Sequence, residues 1–176
     1  MPNLSKLPAW AGDEFVHVVV ETPRGARAKL TFDSELKTFV LSKSLTVGLS
    51  YPYDWGFIPS TRAEDGDPLD AMVLLEEPTF PGCHIHARPV GVFLMRDEEG
   101  VDAKLLCVPA SDPRSHGVVE LHDVPEYEQR EIAHFFAIYK DLEPGKGTQT
   151  SGWEGRETAE STIVAAKRRF TTGGDS

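Results

Sequence analysis

Two apolar periodicities divide this chain, and the change at Pro125 limits what it can fold into. Before it, short runs rich in β-branched and aromatic residues are separated by Gly, Pro and Asp. Such runs read as strands, because alternate side chains on a pleated backbone face opposite sides. Phe15–Glu21 ends at Thr22-Pro23-Arg24-Gly25. Ala28–Asp33 alternates, with Leu30 and Phe32 on one face and Lys29 and Thr31 on the other. Phe39–Leu41, Met72–Leu75 and Ala103–Val108 read as further strands. Ile85–Met95 gives one or two more, broken at Pro89, and Tyr51–Pro59 reads as an extended segment bent at Gly56. After Pro125, Ile132, Phe135, Phe136 and Tyr139 recur at helical spacing, with Pro144-Gly145 beyond the end. A second helix is expected from about Glu154 to Phe170, with Ala159, Ile163, Ala166 and Phe170 as its stripe. Strands first and helices second predict one α+β domain over 1–176. Residues 1–13 are expected to be an irregular lead-in anchored by Trp10, and 171–176 a frayed tail.

Composition narrows the class. The chain has 176 residues, 40% hydrophobic and 26% charged, with a formal net charge of −10. That profile suits a globular protein and argues against a nucleic-acid-binding surface. No apolar run reaches the roughly 20 residues that span a membrane. Met1–Lys6 lacks the apolar core of a signal peptide, so a cytoplasmic protein is expected. Cys83 and Cys107 are the two cysteines; buried free thiols are favoured over one disulfide in that setting.

The chemistry concentrates in Asp65-Gly66-Asp67-Pro68-Leu69-Asp70. Carboxylates packed this closely repel unless a cation neutralises them, and hard oxygen donors suit Mg²⁺, Mn²⁺ or Ca²⁺ rather than zinc. An ordinary acidic turn is the competing reading. An EF-hand loop fails because Asp70 stands where the loop needs Gly. A second acidic stretch, Asp97 to Asp102, leads to Lys104, and period two makes Asp102 and Lys104 point the same way. That pair is either a surface ion pair or a metal ligand beside a phosphate-binding lysine. Lys140 ends the first helix, while Glu21 and Lys29 flank the first turn; each alone reads as a solvated charge. Glu76, Glu77, Glu98 and Glu99 are also read as solvated.

In order, Glu21, Lys29, Tyr51-Pro52, Asp65–Asp70, Arg88–Val92, Asp97–Lys104, His134-Phe135-Phe136, Tyr139–Leu142 and Gly152-Trp153 form a larger pattern. From Phe15 to Phe170 the chain resembles the soluble Mg²⁺-dependent inorganic pyrophosphatases. The resemblance implies a small, mostly antiparallel OB-like β-barrel with two helices from the C-terminal half packed on it. It implies hydrolysis of pyrophosphate by a metal-activated water, with several Mg²⁺ ions, or Mn²⁺ as a substitute. Asp67 matches the family's general base, and Asp65, Asp70, Asp97, Asp102 and Glu21 match its metal set. Lys29, Lys104, Tyr139 and Lys140 match its phosphate-binding groups. The family has Glu at Thr31, Arg at Lys43 and Tyr at Trp55, so Lys43 and Trp55 stand as altered substrate-facing groups. A homo-oligomer, such as a hexamer, is implied, with His134 either at a subunit contact or simply a core or surface histidine. A same-fold enzyme for another phosphoanhydride or phosphomonoester, or a non-catalytic metal- or phosphate-binding relative, remains open.

Overall fold

The computed structural model describes residues 3–173, and within them a ring of paired strands carries the architecture. The strands are β1 (Val16–Thr22), β2 (Ala28–Asp33), β3 (Thr38–Ser44), β4 (Asp54–Ile58), β5 (Leu69–Val73), β6 (His84–Asp97), β7 (Gly100–Pro109) and β8 (Gln149–Gly155). The helices are α1 (Glu126–Ile138) and α2 (Arg156–Thr172). Pairing runs β1–β4–β5–β7–β6 and returns from β6 to β1, with β5–β7 parallel and the others antiparallel. This circuit agrees with the α+β, OB-like class expected. β2 and β3 form a separate hairpin, and β8 pairs with β6 over Gly91–Arg96, beyond the stretch that β1 pairs.

The alternation of side chains sorts two cores. Val16, Val18, Val20, Leu69, Ala71, Val73, Leu105 and Cys107 pack with Ala159, Ile163 and Ala166 of α2. The opposite parity, Trp55, Met72, Phe93, Met95, Leu106 and Val108, packs with Ile132, Phe135, Phe136 and Tyr139 of α1. The helical stripe thus lands where its spacing puts it, although Phe170 is only half-buried. Both cysteines are free: Cys107 is buried and Cys83 half-buried.

Several boundaries differ from the sequence expectation. Gly56 lies mid-strand in β4 rather than at a bend. A Cβ there would sit 1.9 Å from the Val19 carbonyl oxygen, so the glycine permits close approach of β1 and β4. Pro89 does not break β6 in two; a register shift between Pro89 and Gly91 absorbs it inside one 14-residue strand. β5 begins at Leu69 rather than Met72, which brings Asp70 into the sheet. β8 had no apolar alternation to announce it, and α2 begins at Arg156, after that strand. The lead-in contains a 3-10 turn at Leu4–Lys6, and Trp10 bridges to Val16. α2 runs through Thr172, so the expected frayed tail begins too early; residues 1–2 and 174–176 lie outside the described set.

Candidate active site

The face of the sheet that packs on α1 turns polar at one end, and that end is the site. On β5, Asp70 shares a face with buried Met72; on β7, Asp102 and Lys104 share one with Leu106. The parallel register makes Asp70 and Lys104 direct partners. Lys104 Nζ lies 2.6 Å from Asp70 Oδ2 and 2.7 Å from Asp102 Oδ1, the latter the same-face pair that period two predicts. Lys104 is 4% exposed and stands 4.9 Å from the centroid of the buried Trp55 ring. Burial, the largest influence, works to discharge this ammonium. The Asp70 and Asp102 carboxylates outweigh it and hold its pKa above the usual lysine value.

The loop before β5 is fixed by its own polar groups. Gly66 takes φ +94, a conformation glycine adopts without strain, and the Asp67 N–H donates to Asp65 Oδ1 at 3.0 Å. The Ala63 N–H donates to the Asp67 carbonyl at 2.7 Å, and the Leu69 N–H donates to the buried Thr61 hydroxyl at 2.9 Å. Asp65 and Asp67 are left exposed at the cleft, and Asp70 half-buried.

Across the cleft, Lys140 Nζ bonds Asp97 Oδ2 at 3.0 Å, tying the end of α1 to the β6–β7 hairpin. Burial acts to raise the Asp97 pKa, but the Glu99 N–H and Lys140 outweigh it and hold the carboxyl below its ordinary range. Glu21 is buried and accepts the Phe32 N–H at 2.7 Å. Burial pushes its pKa up to about 8, with smaller upward contributions from Asp70 and Asp67. Asp67 is also raised, first by partial desolvation at the cleft and then by Asp65, Asp70 and Glu99. Burial lowers Lys29 and raises Tyr139.

Together these residues line a cleft of about 360 Å³. It gathers Glu21, Lys29, Trp55, Asp65, Asp67, Asp70, Asp97, Asp102, Lys104, Tyr139 and Lys140. Lys43 is not among them. It is the cross-strand partner of Lys29, but its ammonium is bonded to Glu143 and it does not line the cleft. Glu143, in the turn after α1, supplies the nearer carboxylate. Glu99, read as solvated, is exposed but lies on the cleft wall. Phe32, expected opposite Lys29 and Thr31, lines the cleft with them. His134 is exposed on α1, not in a core.

Seven carboxylates face three lysines in this cleft. Lys104 serves Asp70 and Asp102, and Lys140 serves Asp97; Asp65, Asp67 and Glu21 have no ion-pair partner among the described residues. The carboxylate oxygens are spread round the cleft: among the described residues, no three of them fall within 4.8 Å of one another. An excess of hard oxygen donors, with Asp67 raised partly by like charge, suits small divalent cations such as Mg²⁺.

The family model for inorganic pyrophosphatase matches residues 18–171. The chain belongs to the inorganic pyrophosphatase family. An inorganic pyrophosphatase of Streptomyces coelicolor is 49% identical over 153 residues, covering 87% of this chain and 94% of that protein. The inorganic pyrophosphatase of Thermus thermophilus superposes with a TM-score of 0.93 at 43% identity, covering 97% of this chain and 99% of that one. The Helicobacter pylori inorganic pyrophosphatase gives 0.90 at 34% identity, over 94% and 99%. The pyrophosphatase family thus accounts for the order of strands and helices that frames the cleft.

Proposed function

We propose that this chain hydrolyses inorganic pyrophosphate to two phosphates by direct attack of water on phosphorus, with no covalent intermediate. The observation that carries the reading is the acidic cleft itself: Asp65, Asp67 and Glu21, with no ion-pair partner among the described residues, share it with Lys29, Lys104, Tyr139 and Lys140. Pyrophosphate is highly anionic, and phosphoryl transfer asks a protein mainly for positioning and charge stabilisation. Asp65, Asp70, Asp97, Asp102 and Glu21 would hold Mg²⁺ ions. When bound, those ions supply charge neutralisation and lower the pKa of water.

The chain's own groups do the rest. Asp67, exposed at the cleft with a raised pKa, takes the proton from the attacking water. Lys29, Lys104 and Lys140 draw phosphate oxygens and stabilise the charge left on the departing phosphate. The Tyr139 hydroxyl, kept protonated by burial, donates to a phosphate oxygen. Trp55 and Thr31 shape the wall where the family carries Tyr and Glu.

The protein is read as a cytoplasmic homo-oligomer acting through one catalytic domain. Tyr127 and His134, seven residues apart on α1 and both exposed, support a subunit contact on that helix. No helix of the described residues is long and apolar enough to cross a membrane.

Phosphate release from pyrophosphate with Mg²⁺, set against nucleoside triphosphates and sugar phosphates, tests the assignment. Turnover of pyrophosphate far above the others is expected. Preference for another phosphoanhydride or a phosphomonoester would replace pyrophosphate as substrate, and no turnover by folded, Mg²⁺-supplied protein would overturn the enzyme reading.

A further inference from the structure

Toward the opposite end of β1 from Glu21, three imidazoles meet. His17 on β1 and His86 on β6 are cross-strand partners, and His84 precedes His86 by two residues. Period two puts His84 and His86 on one side of β6, while Ile85 and Ala87 point into the core. His17 Nδ1 and His84 Nε2 are hydrogen-bonded, with ring centroids 4.5 Å apart and planes at 8°. His86 stands edge-on to both, at 4.8 Å and 5.1 Å between centroids. One ring nitrogen from each histidine lies within 4.8 Å of the other two. A stacked, hydrogen-bonded pair accounts for two of these rings but gives no reason for the third nitrogen to join them.

We propose that His17, His84 and His86 form a surface site for one imidazole-preferring divalent transition metal of the zinc class. With Zn–N bonds of about 2.0–2.1 Å, tetrahedral ligand nitrogens lie roughly 3.4 Å apart. The observed upper separation of 4.8 Å therefore asks for small rotamer adjustments and no backbone movement. Imidazole nitrogens suit zinc-class ions, whereas Mg²⁺ keeps to oxygen, so ligand chemistry sorts the two metals between this cluster and the acidic cleft. Burial first, and then the neighbouring imidazoles, lower the pKa values of His17 and His84, in keeping with the neutral form that ligates. His84 and His86 border an open groove shared with Thr79, Cys83 and Ser111. None of the three histidines lines the acidic cleft. His17 and Glu21 are four residues apart on β1, roughly 13 Å of strand. The proposal does not depend on the hydrolytic activity.

The test is equilibrium dialysis of the full chain against Zn²⁺ in a large excess of Mg²⁺, which occupies the carboxylates. One Zn²⁺ per chain is expected. His84→Asn and His86→Asn, made singly and checked for an unchanged thermal melt, should each weaken that equivalent by at least about tenfold. Zinc-edge X-ray absorption of the wild-type complex, which needs no variant, should show an imidazole-dominated shell. Absence of the zinc equivalent in the wild-type chain overturns the site. So does retention of full affinity by the histidine variants, loss of binding in Asp70→Asn instead, or a carboxylate shell around the metal.

Discussion

Lys104 Nζ stands 2.6 Å from Asp70 Oδ2 across the parallel pairing of β5 with β7, and both side chains face the cleft. A buried ammonium between two carboxylates draws both in and offsets their mutual repulsion. Lys104→Met removes that cation and leaves Asp70 and Asp102 facing each other. In metal-free buffer the variant should lose about 3 kcal/mol, because breaking a buried pair strands its partners. Added Mg²⁺ should then raise its melting temperature more than that of the wild-type protein. Equal responses to Mg²⁺ would remove this role.

Asp67 is exposed at the cleft, lacks an ion-pair partner among the described residues, and has a raised pKa. Asp67→Asn should lower phosphate release by roughly 10²–10⁴-fold, the usual contribution of a general base. Mg²⁺ affinity, followed by calorimetric titration, should change little. A variant turning over at near wild-type rate would assign the proton to another group.

Glu21 gives a pH dependence with a definite sign. Its folded pKa of about 8 lies above the ordinary 4.5, so the folded state holds a proton that the unfolded chain has lost. Stability from this group is therefore greatest below pH 4.5 and falls as pH rises toward 8. Glu21→Gln keeps an acceptor for the Phe32 N–H but does not titrate. In metal-free buffer the two proteins should melt alike at the acid end, and the variant should be the more stable above pH 8. The gap has a ceiling on the order of 4–5 kcal/mol. Parallel melting curves across that range would contradict it.

Lys43 tests how far the rim differs from the family pattern. From the sequence, Lys43→Arg is expected to tighten substrate binding by restoring a bidentate fork. The bond from Lys43 to Glu143 changes that expectation. With Glu143 intact, Arg should keep the same partner, and KM should stay within about twofold. Lys43→Arg combined with Glu143→Gln should lower KM. Steady-state kinetics of the single and double variants separate the two cases.

Of the described glycines, Gly56 leaves the least room for a side chain. Since a Cβ would fall 1.9 Å from Val19 O and 2.7 Å from Val19 C, the clash is with backbone that no rotamer change relieves. Gly56→Ala should cost roughly 3 kcal/mol or more. Denaturant unfolding measures it, and a loss below 1 kcal/mol would mean that β1 and β4 can separate easily.

What the sequence carried was what periodicity and charge carry. Asp102 and Lys104 were legible as neighbours because a strand repeats every two residues, and the α1 stripe because a helix repeats every three to four. β8 was not legible: Gln149-Thr150-Ser151-Gly152 offers no apolar alternation, and its place comes from backbone pairing with Leu94, Met95 and Arg96. Pro89 and Gly56 misled for one reason. Their local preferences suggest a break and a bend, whereas the ring of strands accommodates the first in a bulge and needs the second for close approach. Long-range partners such as Glu143, 100 positions from Lys43, leave no mark in local sequence. His84-Ile85-His86 did leave one, since alternate histidines on a strand share a face, but its meaning depended on His17 arriving from β1.

The Trp55 ring, buried under the Lys104 ammonium at the cleft wall, gives the protein an optical handle of its own. A positive charge held near an indole alters its emission, and anything that enters the cleft and draws Lys104 away changes that local field. With Trp10 and Trp153 replaced by Phe, the one remaining indole would report each arrival at the cleft as a change in fluorescence. Ligand occupancy could then be followed on its own, with no chemistry taking place and no label attached.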